Sequence, residues 1–444
     1  MTDSTDDAAV THVVTAFLRN RGEVLLLRRS DAVGTYAGQW GGVSGFAAGD
    51  PDTQARTEIS EETGLEVGDA VSFVRSGQPV QFEDTDLGRE WVVHPYLFDC
   101  ETRDIDLSEE HDTFEWASPT VILDPDDDRE PVPELWTAYE RVAPTVRSIT
   151  ADSEHGAAHL SIRALEVLRD RAAVATAERA EFGTDPDGEW DELAELAGRL
   201  LETRPSMAVL RNRINRAMAR AADADPDATG APAVLEATLA GLERALAADD
   251  DAAATASEHI DGAVATLSRS DTVLEAIRGG DPSRVFVAES RPAREGIDVA
   301  EGLAAADDLD CPVTVHTDAA AAHVLSSEAI DRVVVGADTI RPDGSVVNKT
   351  GTRTLALAAA REGIPVSVVA ATDKVSTREA VNLESGDRSA VYDGDADLDV
   401  VNPTFDVTPA DCIDGFVTER GVLEPAGIDD VVAELRAFEG WADR

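Results

Sequence analysis

The sequence has few cysteines and no long apolar run. Its three cysteines, Cys100, Cys311 and Cys412, lie far apart without CxxC or Cys/His spacing. This excludes a cysteine-based metal motif and fits buried thiols in a reducing cytoplasm. No stretch approaches the roughly 18–20 apolar residues that span a membrane. The acidic residues 1–8 lack a signal-peptide pattern and are predicted to form a short disordered tail. We therefore expect a cytoplasmic protein without membrane association.

Basic charge is also scarce. The chain has 38 basic against 88 acidic residues and a formal net charge of -50. Such a chain repels phosphate backbones at long range, so direct nucleic-acid binding is disfavoured. The acidic residues are spread along the sequence, which is typical of a surface adapted to high salt, where the screening length falls to roughly 3 Å at 1 M. The composition therefore predicts a halophilic host. Acidic tails for a basic partner are the alternative.

Lysine is nearly absent. Only Lys349 and Lys374 occur, 25 residues apart, and every other basic residue is arginine. Because the sequence otherwise uses arginine in place of lysine, these two side chains are candidates for a role that the planar guanidinium of arginine cannot fill. Both are therefore candidate site residues.

At 444 residues the chain is long enough for two or three domains. N-terminal strand patterns surround a Gly-rich segment and a helix from Asp52 to Thr63 that ends at Gly64. Residues 135–255 have a helical pattern. From Arg284 onward, short β-branched runs alternate with Ala-rich helices, which predicts βαβ units and a buried parallel sheet. These runs lie at 285–290, 312–317, 332–337, 366–371 and 399–402.

Residues 41–65 place three glutamates on one face of the predicted helix. Glu58, Glu61 and Glu62 stand at positions i, i+3 and i+4, and a Gly-Leu pair follows. The segment resembles the Nudix box, and the resemblance implies a Nudix α/β/α sandwich. It also implies that the three glutamates bind Mg²⁺ or Mn²⁺ against a substrate diphosphate, and that Glu61 and Glu62 are catalytic.

The segment departs from the Nudix pattern at several positions. Thr57 stands where the box has arginine, and Arg56 is rotated from that position by about 100° on a helix. Gly49 replaces the first glutamate, and Val43 replaces the first glycine. A solvated acidic helix face is the alternative reading of the three glutamates, so intact hydrolase chemistry stays open.

Seven later segments resemble, in order, the initiation factor 2B α/β/δ family, which includes ribose-1,5-bisphosphate isomerase and methylthioribose-1-phosphate isomerase. They are residues 155–168, 204–214, 287–296, 314–321, 336–352, 368–376 and 402–423. We therefore predict a multidomain α/β and α+β protein. Its segments are a Nudix-like domain at 9–123, a linker at 124–136, a helical subdomain at 137–255 and a Rossmann-like sugar-phosphate- or nucleotide-binding subdomain at 256–444.

The residues themselves indicate an anion site. Asp338 follows the strand predicted at 332–335, at the carboxyl end, where open α/β sheets bind ligands. Residues 348–352 open a predicted helix, whose N-terminal amides together with Lys349 make an anion site. Lys374 follows the next predicted strand and can reach the same crevice. Both lysines are therefore predicted at one site.

The family resemblance assigns roles to these positions. It implies that Asn348, Lys349 and Lys374 bind substrate phosphate. Further binding positions are implied at three other residues: Gly156, Arg204 and Ser270. It implies no cofactor for the C-terminal domain.

In the isomerases of this family an Asp/Cys pair moves a proton while the sugar carbonyl migrates from C1 to C2. Asp338 matches the aspartate, but Ser268 stands in the cysteine position. A cysteine thiol has a pKa of about 8.5 and can ionise to a thiolate, which a serine hydroxyl cannot supply. An acid–base group contributes about 10²–10⁴-fold to rate, so its loss leaves a poor isomerase. Binding of a sugar hydroxyl is the alternative role for Asp338.

Three functions stay open. The C-terminal domain is a binding module for a sugar phosphate or nucleoside monophosphate, or it is an aldose–ketose isomerase; the Nudix domain hydrolyses a nucleoside diphosphate derivative. We predict the first and third together. We also expect a homodimer or higher homo-oligomer through the C-terminal domain. Partnership with translation initiation factor 2 rests on family analogy alone.

Overall fold

The computed structural model describes residues 10–68, 70–152, 154–183, 185–224 and 229–443. The predicted tail at 1–8 lies outside the described residues. The chain divides into two compact units, one within 1–149, 166–193 and 228–235, the other within 150–165, 194–227 and 236–444. No helix in the described part of the chain is long and apolar enough to cross a membrane.

Unit 1 is built on an eight-stranded mixed sheet in which β1 and β7 run parallel at the centre. Its strands are β1 (Val10–Asn20), β2 (Glu23–Arg29), β3 (Trp40–Gly41), β4 (Val43–Phe46), β5 (Val71–Ser76), β6 (Val80–Asp84), β7 (Arg89–Cys100) and β8 (His111–Ala117). The first helices of the chain are α1 (Pro51–Thr63), α2 (Leu135–Glu140), α3 (Val146–Ala151), α4 (Ala157–Phe182) and α5 (Pro186–Thr203).

Alternating residues of β1 face opposite sides of this sheet, as the strand period requires. Phe17 packs in a cluster with residues of α2, whereas Ala16 and Leu18 pack in a cluster with Ala55 and Ile59 of α1. The sheet therefore lies between helices, which confirms the predicted α/β/α sandwich.

Local signals set the limits of α1. Asp50 caps its N-terminus by accepting from the Thr53 amide at 3.2 Å, and Pro51 occupies the first turn. Gly64 ends the helix in the left-handed conformation with φ 70°. The helix predicted at 52–63 is thus confirmed.

Buried arginines tie part of α4 into unit 1. Arg169 donates to the Gly22 carbonyl at 2.6 Å and pairs with Asp170 at 2.7 Å. Arg19 pairs with Asp99 at 2.7 Å and with Glu166 of α4 at 3.6 Å. Removing one partner of a buried ion pair leaves an unpaired charge and is strongly destabilising. These contacts therefore hold α4 against the β1–β2 turn. The segment boundaries at 124–136 and 255 remain predictions.

Unit 2 contains a seven-stranded sheet in the order β11-β10-β9-β12-β15-β17-β18, parallel except for its last pair, and a small antiparallel sheet β13-β14-β16. The strands are β9 (Asp261–Leu267), β10 (Asp281–Ala288), β11 (Val313–His316), β12 (Arg332–Val335), β13 (Thr339–Ile340), β14 (Val346–Lys349), β15 (Val366–Val369), β16 (Phe405–Thr408), β17 (Gly415–Thr418) and β18 (Gly421–Leu423). The later helices are α6 (Ala208–Ala222), α7 (Ala231–Ser257), α8 (Asp271–Gly279), α9 (Glu295–Ala305), α10 (Ala321–Ser327), α11 (Thr352–Glu362) and α12 (Ile428–Ala437).

The strand order of unit 2 reverses between β9 and β12. The chain proceeds from β9 to β10 and β11 on one side, then crosses to β12 on the other. Val333 and Val335 pack in one apolar cluster and Val334 in another, so the sheet is buried on both faces. The predicted parallel sheet is confirmed, but the strand predicted at 399–402 is wrong. The next strand begins only at Phe405, where it pairs with β14.

Candidate functional site

The candidate site lies at the carboxyl ends of the central strands of unit 2. Ser268 directly follows β9, Asp338 follows β12 and Lys374 follows β15. These strands are neighbours and parallel, so their carboxyl ends share one edge of the sheet. Ser268 and Asp338 therefore flank the point at which the strand order reverses, where open α/β sheets bind ligands.

A carboxylate that the sequence analysis did not select joins two of the predicted residues. The Glu295 Oε1 atom lies 2.9 Å from the Lys349 Nζ atom, and Glu295 Oε2 accepts from the Ser268 hydroxyl at 2.7 Å. Ser268 has φ 59°, and its amide donates to the Ser290 hydroxyl at 2.7 Å. Glu295 lies within the 287–296 segment, but no spacing rule connects it to position 268 or 349.

Asp338 lies in the electrostatic field of both lysines. Burial raises the pKa of the Asp338 carboxyl, Lys374 and Lys349 oppose that rise, and Glu384 and Glu295 reinforce it. The structure therefore brings Asp338, Ser268 and the two lysines of the chain into one neighbourhood with mixed charge.

Helix α6 fixes the backbone on both sides of Lys374. The Asn212 Nδ2 atom donates to the carbonyls of Asp373 and Val375 at 2.7 Å each. The Asp373 carboxylate is fully buried. Three arginines surround it at 3.0–3.3 Å: Arg213, Arg216 and Arg244. Burial acts to raise the pKa of Asp373, but these guanidinium groups outweigh it and hold the pKa below its ordinary value.

At the N-terminus of α11, where the sequence predicts an anion site, two backbone amides already have an acceptor within the chain. The amides of Gly351 and Arg353 donate to the Asp406 carboxylate at 2.8–3.2 Å. Asp406 reaches them because it pairs with Asn348 in the β14–β16 register. The Asn348 side chain donates to the Thr352 hydroxyl at 3.0 Å. A carboxylate of the chain itself therefore caps this helix.

The remaining predicted binding residues lie in two places. The Arg204 guanidinium donates to the Asp152 carbonyl, and the Asp152 carboxylate organises the turn that precedes Gly156. Ser270 lies against Gly336, because a Cβ atom at Gly336 would stand 2.8 Å from the Ser270 hydroxyl. Ser270 is thus beside the carboxyl end of β12, whereas Gly156 and Arg204 form a second group around Asp152.

The three Nudix-box glutamates of unit 1 have different environments. Glu62 is 3% exposed and accepts from the Ser44 amide at 3.1 Å, and burial raises its pKa to about 9. Glu58 is half-buried and interacts electrostatically with Glu62. Glu61 is exposed. On a helix, positions 61 and 62 are about 100° apart, so one can face solvent while the other faces the sheet.

Buried polar atoms without a hydrogen-bond partner lie beside the Nudix-box helix. Glu62 Oε1 and both ring nitrogens of His111 are buried without a hydrogen-bond partner, and His111 Nε2 lies 4.0 Å from Glu62 Oε2. Such atoms are stabilised by an ion or water. Among the described residues, no group of three or more His, Cys, Asp or Glu side chains is arranged as a metal site. Sequence analysis did not select His111, which no motif marks.

Comparison with known proteins identifies two families. The Initiation factor 2 subunit family matches residues 153–425, and the NUDIX domain family matches residues 10–135. The chain is 33% identical to ribose 1,5-bisphosphate isomerase of Haloferax volcanii, over 68% of this chain and 97% of that protein. It is 31% identical to methylthioribose-1-phosphate isomerase of Pseudomonas aeruginosa, over 70% of this chain and 92% of that protein. The solved Pyrococcus horikoshii translation initiation factor eIF-2B is similar with a TM-score of 0.51 and 29% identity, over 63% of this chain and 95% of that one.

Proposed function

The chain belongs to the Initiation factor 2 subunit family and carries an N-terminal Nudix domain, and from this premise we propose that it combines a binding module with a hydrolase. The module binds a phosphorylated sugar or a nucleoside monophosphate at the carboxyl ends of β9, β12 and β15. The observation that carries this proposal is that the neighbouring strands β12 and β15 bring Asp338 and Lys374 to one edge of the sheet, where both lysines of the chain act on the Asp338 carboxyl. Two ammonium groups beside a carboxylate suit a ligand with phosphate at one end and hydroxyls at the other.

Ser268 favours binding over catalysis. Its hydroxyl donates to Glu295, so the position that would hold a thiol in an isomerase contributes a hydrogen bond within the site. In this proposal Lys349 and Lys374 contact the phosphate and Asp338 accepts from a sugar hydroxyl. Asn348, Ser270, Gly156 and Arg204 remain proposed binding residues.

Aldose–ketose isomerisation is the second candidate. Its support is the half-buried Asp338, because desolvation raises the pKa of this carboxyl, which is the direction that suits a general acid–base group. The identity to ribose 1,5-bisphosphate isomerase also favours it. The missing thiol at position 268 opposes it.

For the Nudix domain we propose hydrolysis of a nucleoside diphosphate derivative with Mg²⁺ or Mn²⁺. A bound cation would neutralise the diphosphate and activate water. Glu58, Glu61 and Glu62 would hold the cation, and Glu61 and Glu62 would be the catalytic residues. A homodimer or higher homo-oligomer, a cytoplasmic location and a role beside translation initiation factor 2 remain predictions.

A thermal-unfolding experiment at high salt tests the binding module. A ligand at 100 times its Kd raises the free energy of unfolding by roughly 2.7 kcal/mol, so AMP or ribose 1,5-bisphosphate should raise the Tm of the full chain. We expect Lys349→Ala and Lys374→Ala to abolish that rise and Asp338→Asn to weaken it less. Arg361→Ala, which removes an exposed positive charge from the last turn of α11, is the matched control. Wild-type responses in both lysine variants would refute the site.

A further inference from the structure

Lys349 is already paired with an anion of its own chain. Its ammonium group lies 2.9 Å from Glu295 Oε1, and the two side chains are only 23% and 26% exposed. The other oxygen of this carboxylate accepts from the Ser268 hydroxyl at 2.7 Å. Both oxygens of Glu295 are therefore engaged, one with Lys349 and one with Ser268.

We propose that Glu295, held by Ser268, is a built-in competitor that lowers the affinity of Lys349 for the ligand's phosphate. This inference rests on the proposed binding function. An oxyanion that approaches Lys349 meets a carboxylate of like charge and must displace it or bind beside it. Like charges within a few ångströms oppose each other strongly in a half-buried site. Only a ligand whose charge and other contacts outweigh the Lys349–Glu295 pair binds well.

The position of Glu295 suits displacement. It is the first residue of α9, where the helix dipole stabilises a negative side chain whether or not Lys349 is its partner. Its hydrogen bond with Ser268 is independent of Lys349. Glu295 can therefore move away from the ammonium group and keep two of its three stabilising interactions.

The proposed role of Glu295 explains why a serine at position 268 is favourable. A hydroxyl is a strong hydrogen-bond donor, whereas a thiol is a weak one. Serine therefore holds the Glu295 carboxylate in place better than cysteine would. Asp406 provides a parallel case in the same unit, because its carboxylate covers the N-terminal amides of α11. Two groups suited to anions are thus each covered by a carboxylate of the chain.

Titration calorimetry of the full chain with inorganic phosphate at high salt tests the proposal. We expect Glu295→Gln to bind phosphate roughly threefold more tightly than wild type, within the range that a part-exposed ion pair contributes. Ser268→Ala should change the Kd in the same direction by a smaller factor. Asp298→Asn is the matched control, since it removes an exposed carboxylate from the same first turn of α9. It should leave the Kd within about twofold of wild type.

The sign of the change separates competition from a merely structural role, which would weaken binding. An unchanged or weaker affinity in Glu295→Gln overturns the inference, while phosphate binding by wild type and its loss in Lys349→Ala would keep the proposed function. If wild type binds neither phosphate nor AMP, both proposals fall. If Glu295→Gln does not fold, Ser268→Ala decides, and an affinity equal to or below that of wild type overturns the inference.

Discussion

Ser268 and Asp338 lie on either side of the point at which the strand order of unit 2 reverses, one after β9 and the other after β12. The family resemblance implies that in the isomerases a thiol at the first position works with the aspartate. Here an oxygen atom replaces sulfur, and its hydrogen bond goes to Glu295. The chemistry of one atom therefore bears on whether this edge of the sheet transfers protons or only binds.

The exchange at position 268 leads to a prediction about isomerase activity. Wild type should convert little or no ribose 1,5-bisphosphate to ribulose 1,5-bisphosphate, because the hydroxyl does not ionise as a thiol does. Ser268→Cys should gain measurable turnover, followed by phosphorus NMR of substrate and product. Ser268→Cys combined with Asp338→Asn is the control and should be inactive. Wild-type turnover of about 1 s⁻¹ or more that Asp338→Asn abolishes would make the isomerase the correct function.

Helix α6 supports the site through the backbone around Lys374. Its Asn212 holds the carbonyls on both sides of Lys374, and two of the arginines around Asp373 also belong to it. The lysine side chain is a flexible four-carbon stem. A fixed backbone therefore limits where its ammonium group can lie. Helix α6 limits the position of the Lys374 ammonium group in this way.

Two asparagines of α6 allow a matched test of this role. Asn212→Ala removes two buried hydrogen bonds and should lower the free energy of unfolding by about 1–3 kcal/mol. It should also reduce the Tm rise produced by AMP. Asn215→Ala is the control, because Asn215 is buried on the same helix but accepts from the Trp441 indole. Asn215→Ala should lose stability yet keep its response to AMP. Equal loss of the AMP response in both variants would assign α6 a general structural role only.

At the scale of the whole molecule, the two proposed functions concern ligands that are related in chemistry. Cleavage of a phosphoanhydride in a nucleoside diphosphate derivative yields phosphomonoesters. Phosphomonoesters are the class of ligand proposed for the site with Lys349 and Lys374. Each site nevertheless depends on its own residues: the Nudix glutamates lie in unit 1 and the lysines in unit 2.

This separation predicts independent losses in the full chain. Chelation with EDTA, Glu61→Gln or Glu62→Gln should each abolish hydrolysis of ADP-ribose, because the cation and its ligands are needed to neutralise the diphosphate. None of these changes should alter the Tm rise produced by AMP, whereas Lys349→Ala should remove that rise and leave hydrolysis intact. Product formation by chromatography and Tm are the two measurements. Hydrolysis that persists in EDTA would contradict the metal-dependent mechanism.

Several features follow from the sequence alone because their causes are local. The helix after the Gly-rich segment begins at a capping aspartate and ends at a glycine in the left-handed conformation. Four of the five predicted β-branched runs become strands of the parallel sheet, since short apolar runs between helices bury both faces. The fifth run, at 399–402, is not a strand. Strand β9 was not predicted, because its Gly and Ala residues make the β pattern weak. The family resemblance and the candidates Ser268, Asp338, Lys349 and Lys374 are also read directly from the sequence.

Only the tertiary structure decided which side chains meet. The Ser268–Glu295 hydrogen bond spans 27 positions, the Gly351–Asp406 bond spans 55 and the Asn212–Asp373 bond spans 161. Periodicity and capping rules describe neighbours within a few turns, so they carry no information about such pairs. The strand order brings these distant residues to one edge of the sheet. For that reason the sequence could predict an anion site, but the contacts of Glu295 and Asp406 became visible only in the fold.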